Sequence, residues 1–226
     1  MASSFARNAI VLGLLTAVGP FAIDMYLPAL PAIGTDLQVT PGAVQLSVVA
    51  FFTAVGLCQL VYGPVSDMFG RRRPLFIGMI LYTIGGIGCA LAPNIETLIA
   101  MRFLQGVGAC AGMTIPRAII RDLHTGPSAA RLMSLVMLVF SVSPMLAPLS
   151  GSMVSVLVGW RAIFAVLAFF GVLGLLLAIF ALPETRLPEA RISSSWRSAL
   201  ANYGLLLRDR RYLGITFIGA FGMACP

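Results

Sequence analysis

Apolar positions in this chain neither alternate nor recur with the spacing of a one-sided helix; they run on. Six stretches, approximately 9–30, 43–65, 75–93, 97–116, 132–158 and 162–182, are apolar almost throughout and are joined by short polar or basic connections. A helix needs roughly 20 residues to cross about 30 Å of hydrocarbon, and backbone groups in lipid must be satisfied within the segment. Each stretch therefore predicts a membrane-spanning α-helix, and the two-residue alternation of a transmembrane barrel is not visible. A seventh stretch runs from Tyr212 towards Pro226. Its apolar part is about 14 residues, about 21 Å of helix, which predicts the start of a further span in a truncated or interrupted longer protein. The expected organisation is an all-α integral membrane protein: a six-helix bundle over 1–182, a linker over 183–211, and an incomplete seventh helix over 212–226.

Composition supports a chain that lives in lipid. It is 59% hydrophobic and 10% charged with a mean hydropathy of +0.96, against roughly 25% charged residues in soluble domains. Its basic residues are all arginine. A pI near 9.9 does not make it a nucleic-acid binder, because the arginines sit in short loops rather than on one wettable face. The run after Arg7 is too long for a cleaved signal and reads as an uncleaved first span. Cys58, Cys89, Cys110 and Cys225 fall inside apolar runs without ligand spacing, as small buried hydrophobes do. His124 is expected to be a solvated loop residue. Neither a metal nor a cofactor is implied.

Arginine placement sets an expected orientation. With the N-terminus cytoplasmic, thirteen arginines fall on the cytoplasmic side and Arg161 alone on the other, as the positive-inside rule requires. The long 183–211 segment is expected to be cytoplasmic, with Trp196, Leu200 and Leu207 able to face lipid if it forms a surface helix.

Two ionisable residues lie well inside spans, Asp24 and Arg102. Each costs about 2.5–3.5 kcal/mol at a helix centre. Counted along their helices at 1.5 Å per residue, both are roughly 9–12 Å below the outer surface, so they are expected to meet across the bundle interior. A static ion pair is one reading. The other is a pair facing a water-accessible cavity, with Asp24 exchanging a proton and Arg102 tuning it. "GVGACA" at 106–111 fits a dinucleotide-binding pattern but sits in mid-span without a preceding strand. Gly106, Gly108 and Gly112 are expected instead to let helices approach closely.

"GPVSDMFGRRRPL" at 63–75 combines a helix-end acid, a turn glycine and a cationic cluster. The arrangement of Gly63, Asp67, Gly70, Arg71 and Arg72 resembles the signature loop of the major facilitator superfamily, with Met68 where a basic residue is usual. "RFLQGVGA", with Arg102, Gln105, Gly106 and Gly108, resembles the family's fourth-helix motif, whose arginine is associated with proton coupling. "SPMLAPLSGS" at 143–152 resembles its fifth-helix antiporter motif. There Pro144, Pro148 and Gly151 remain, and Ala147 and Ser152 replace glycines. "AIDMYLPALP" at 22–31 and "GWRAIF" at 159–164 look like the Bcr/CflA drug:proton antiporters, which include chloramphenicol and bicyclomycin exporters.

The resemblance covers the whole chain and corresponds to the N-terminal half of that fold. It implies two inverted three-helix repeats, with spans one and four lining the cavity. In the family the aspartate of the loop motif contacts a helix end of a second half, a partner that Asp67 is expected to lack here; Arg71 or Arg72 is expected to pair with Asp122, at the cytoplasmic end of span four, as a gate element. The implied function is proton-coupled multidrug efflux across a bacterial inner membrane. Its partners are small apolar or cationic drugs, protons, the lipid bilayer, and a missing C-terminal half or a second copy. Proton-coupled nutrient symport, and a nonfunctional or assembly-dependent fragment, remain alternatives. No sequence signature of a membrane enzyme is present.

Overall fold

The computed structural model describes residues 2–185 and 203–224. The helices are α1 (Ala2–Asp24), a 3-10 turn (Leu27–Ala29), α2 (Leu30–Asp36), α3 (Pro41–Phe69), α4 (Arg72–Ala90), α5 (Ile95–Leu123), α6 (Gly126–Val158), α7 (Trp160–Phe180) and α8 (Arg210–Ala224). Among the described residues, six spans are long and apolar enough to cross a membrane, the first being the broken unit Phe5–Asp36.

Most spans outrun the apolar stretches that predict them, and two of them begin at polar caps. Thr40 accepts from Ala43 N at the start of α3, and Asn94 accepts from Thr97 N at the start of α5, each satisfying a backbone donor that the helix cannot. The first span is not the single helix expected over 9–30. Pro28 cannot donate and disfavours helical geometry in the residue before it, so α1 stops at Asp24 and the chain re-enters as a 3-10 turn and α2.

Within the unit Met1–Arg191, α1 lies along α6 as α3 lies along α5, and α4 packs against both α5 and α7. Exchanging the first three spans with the second three maps the α1–α6 pair onto the α5–α3 pair and the α4–α7 pair onto itself, as two inverted three-helix repeats require. The buried core forms two clusters. One surrounds Tyr26, Phe51, Leu98 and Phe164; the other surrounds Leu12, Leu15, Leu75, Met79 and Ile120. Large apolar side chains stay exposed on α3 (Leu46, Phe52, Leu57, Leu60) and α6 (Met145, Leu149, Met153, Val156).

α5 is keyed into its neighbours by glycines. A Cβ on Gly106 would lie 2.6 Å from Phe51 O of α3, and one on Gly112 would lie 2.9 Å from Leu15 O of α1. One on Gly108 would land on the backbone of Gly78 and Tyr82 of α4. These contacts are the close helix approach expected of the three residues.

Cys58, Cys89 and Cys110 are free, the last two buried. His124 is not the solvated residue expected. It ends α5 half-buried, edge-on to Phe5 with ring centroids 5.6 Å apart. In the second unit, Ile192–Pro226, Asp209 accepts from Arg211 N and Tyr212 N and so caps α8. Most of the expected linker, with Trp196 and Leu200, lies outside the described residues.

Gly108→Ala is expected to destabilise the bundle by about 1–3 kcal/mol, the usual cost of overpacking. Gly56→Ala, where a Cβ would meet nothing within 4 Å, is expected to change it little. Thermal unfolding of the purified protein in detergent compares the two.

Candidate functional site

The break in the first span creates the site. Where α1 ends, Met25 N bonds Phe21 O but Tyr26 N turns back to Ile23 O. Ala22 O thus loses the donor that a continuing helix would supply. Arg102 fills the place: its Nη1 donates to Ala22 O at 3.0 Å and to Gln105 Oε1 at 2.8 Å. Three rings enclose the guanidinium, with Cζ 4.3 Å from the Phe51 centroid, 4.5 Å from Tyr26 and 5.8 Å from Phe164. Tyr26 is in turn fixed by a 2.6 Å bond between its hydroxyl and that of Ser47. A cation at a helix C-terminus is favoured by the aligned carbonyl dipoles. Charge-assisted hydrogen bonds at about 1.5–3 kcal/mol and desolvated cation–π contacts near 2 kcal/mol match the scale of the roughly 2.5–3.5 kcal/mol insertion cost.

The expected Asp24–Arg102 ion pair is not formed. Arg102 is 0% exposed and makes no ion pair among the described residues, so in this structure it does not look onto water. It reaches α1 two residues before Asp24, at Ala22. Asp24 is half-buried and has no hydrogen-bond or ion-pair partner among the described residues. A carbonyl freed by the helix break has taken the role assigned to the carboxylate. Arg102 Nε and Gln105 Nε2 are buried without a partner.

At the opposite end of α5 lies an ionic clasp. Arg71 bonds Asp67 through Nη1 at 2.8 Å and Asp122 through Nε at 2.8 Å, and its Nη1 also reaches Ser66 Oγ at 2.7 Å. Of the two arginines expected to meet Asp122, it is Arg71 that does so. Burial lowers the proton affinity of its guanidinium, and the Asp122 and Asp67 carboxylates more than offset that, holding it above its ordinary value. Arg72 instead covers the end of α7, donating to Ala178 O at 3.1 Å and Ile179 O at 2.5 Å. Glu184, which carries no motif, accepts from Arg71 N at 2.8 Å and Arg72 N at 3.2 Å. It thereby places a negative charge on the N-terminus of α4. Gly70 has φ 89° and a Cβ there would meet Glu184 Oε2 at 2.6 Å, so both the turn and the carboxylate require glycine. Gly63 touches nothing that a Cβ would disturb.

The motif on α6 presents Ser143, Ala147 and Gly151 to the interior. A Cβ on Gly151 would strike the Met25 backbone, so α6 lies directly against the α1 break. Pro144 and Pro148 sit inside the helix on its more exposed side.

A second clasp, unforeseen from sequence, joins three elements near the end of α2. Asp36 Oδ2 accepts from Trp160 Nε1 at 3.1 Å and from Arg161 Nη1 at 2.5 Å. Arg161 also donates to Ala92 O at 3.3 Å and stacks 4.2 Å from the Trp160 ring. Its signal lay in "GWRAIF", whose Phe164 also walls the Arg102 site.

The description "Major Facilitator Superfamily" matches residues 12–225. The chain belongs to the major facilitator superfamily. It is 43% identical over 215 residues to the Bacillus subtilis MFS-type transporter YdgK, covering 94% of this chain and 54% of that protein. It is 32% identical to a Haemophilus influenzae bicyclomycin resistance protein homolog, covering 94% and 53%. It is 34% identical to a Pseudomonas aeruginosa chloramphenicol resistance protein, covering 81% and 44%. The crystal structure of the human organic anion transporter MFSD10 superposes with a TM-score of 0.70 at 19% identity, covering 86% of this chain and 52% of that one, a likeness of fold. The chain thus spans about half the length of the curated relatives it matches, and these superfamily members are transporters, not enzymes.

Arg71→Gln removes the one cation that bonds both Asp67 and Asp122 and is expected to cost about 1–3 kcal/mol. Arg73→Gln, at an exposed position, is expected to cost less than about 0.5 kcal/mol. Denaturation midpoints of the two variants in detergent check the difference.

Proposed function

We propose that this chain forms the site-bearing half of a proton-coupled drug exporter that exchanges small apolar or cationic drugs for protons across a bacterial inner membrane, with its N-terminus cytoplasmic. The observation that carries this reading is a sealed guanidinium held by a backbone carbonyl at a helix break, two residues from a half-buried Asp24 that has no partner among the described residues. Intramembrane charge marks transport pathways and proton relays by default, and broken helices commonly bear the binding and coupling groups of secondary transporters.

In the proposed cycle Asp24 takes and releases the proton, and Arg102 with Gln105 sets the field at the α1 break. The α6 motif around Pro144, Ala147, Pro148 and Gly151 lets α6 lie against that break. The clasp of Gly70, Arg71, Arg72 and Asp122 gates the far end, because parting Arg71 from Asp122 would release the α3–α4 loop from the end of α5. Gly63 and Asp67 complete the gating loop. The drug-resistance relatives support drugs of the chloramphenicol and bicyclomycin type as substrates. Alternating access requires two bundles moving about a shared site. The proposal therefore includes a second half, or a second copy, covering the exposed apolar faces of α3 and α6.

Proteoliposomes holding this chain together with the second half of the Bacillus subtilis relative provide the test. An imposed pH gradient is expected to drive chloramphenicol flux, and Asp24→Asn to lower proton-coupled flux at least tenfold while drug binding persists. Arg102→Met is expected to lower both flux and binding. Coupled flux that survives Asp24→Asn intact would refute the assigned proton carrier.

A further inference from the structure

The Arg102 site is open to displacement on one side, because Phe164 belongs to α7, a helix whose start is poorly anchored by its own backbone. α7 begins after Gly159, at φ 102°, and no side chain caps its first turn. Four N–H groups at a helix start lack intrahelical partners, and uncapped ends fray. Beside the core packing of Trp160 and Ile163, a partly exposed clasp on Asp36 ties this end. Its Oδ2 receives both the Trp160 indole and the Arg161 guanidinium, and Arg161 is tied in turn to Ala92 O beyond α4.

Trp160 and Phe164 are four residues apart and therefore stack on one face of α7. Their rings meet edge to face with centroids 6.1 Å apart. Phe164 then packs on Tyr26 at 5.4 Å, and both rings border the Arg102 guanidinium. Trp160 is 5% exposed, and Phe164, Tyr26 and Arg102 are 0% exposed. This is a continuous close-packed path, and packed interiors transmit displacement rather than absorb it. The segment from Ala22 to Asp36 is held at both of its ends: Arg102 pins Ala22 O at one, and α7 pins Asp36 at the other.

We propose that Asp36 is a positioning residue for the Arg102 site, acting through Trp160 and Phe164. The inference rests on the reading of Arg102 as part of the coupling site. Asp36 touches neither Arg102 nor Asp24. Its task is to set the height and rotation of α7, so that Phe164 closes the aromatic box and the broken first span keeps Ala22 O aimed at the guanidinium. Residues this far apart that share no partner ordinarily behave additively, so coupling between them is a specific expectation of the path.

The test uses the chain in lipid nanodiscs. With Trp196→Phe as background, Trp160 is its only tryptophan and its fluorescence reports the clasp. Arg102→Lys keeps a charge but removes the flat guanidinium that stacks on rings. It is expected to raise acrylamide quenching of Trp160 at least twofold. Asp36→Asn is expected to raise quenching similarly, and the double variant to add little to either. Replacing Phe164 by Leu, or by Met if the leucine variant is not monodisperse, is expected to abolish the response of Trp160 to Arg102→Lys. Asp36→Glu, which retains the carboxylate acceptor, is expected to keep the parent signal.

A Trp160 signal indifferent to Arg102→Lys, or one that responds equally without Phe164, overturns the proposal. Flux in the two-half proteoliposomes supplies a second arm. There Asp36→Asn is expected to lower the maximal rate about tenfold with the half-saturating drug concentration unchanged, and an unchanged rate overturns the positioning role. Fluorescence coupling without any flux in the parent protein would count against the transport reading alone.

Discussion

A guanidinium cut off from water and from any carboxylate of the described residues is the constraint around which this bundle is arranged. Arg102 cannot shed its proton as a buried lysine can, so its surroundings must accept a permanent charge. They do so with a carbonyl, an amide and three ring faces. A buried ion pair would have been the simpler solution, yet such pairs recover little of their desolvation cost and lock the partners together. A carbonyl at a helix end binds the cation and leaves Asp24 without a partner among the described residues.

The rest of the fold follows from placing that carbonyl. Pro28 ends α1 early, and the freed Ala22 O lies within reach of α5 only because Gly106 and Gly112 bring α5 against α3 and α1. Gly151 similarly admits the Met25 backbone from the α6 side. At the far end the same α5 carries Asp122 to Arg71. One helix therefore bears both the buried cation and one partner of the ionic clasp.

Much of this was legible in the sequence, and what was not has identifiable causes. Continuous apolar runs located all six spans. The demand that Arg102 have a partner on the first span was also legible, because depth follows from residue count along a helix. The partner itself was misjudged, since counting treated the span as one helix. The turn-back of Tyr26 N to Ile23 O depends on how Pro28 is accommodated in three dimensions. The Arg71–Asp122 pair could be anticipated from motif and position. Glu184 could not: it meets the α4 N-terminus across 113 residues of sequence, and an acid just beyond a span has no distinctive pattern. His124 looked solvated because the sequence placed it in a loop, but Phe5 of a distant helix packs edge-on against it.

The glycines of α5 carry a last consequence. Gly106, Gly108 and Gly112 seat the helix into three different neighbours, each seat shaped by backbone that cannot retreat. A shaft notched into three partners at once has no plane along which it can slip. Sliding or twisting α5 by a fraction of a turn would drive it out of every notch together. The cheap motions of such a unit are those that leave the notches filled, so it swings as a single stiff body and bends only at its margins, where the loops and the broken first span lie.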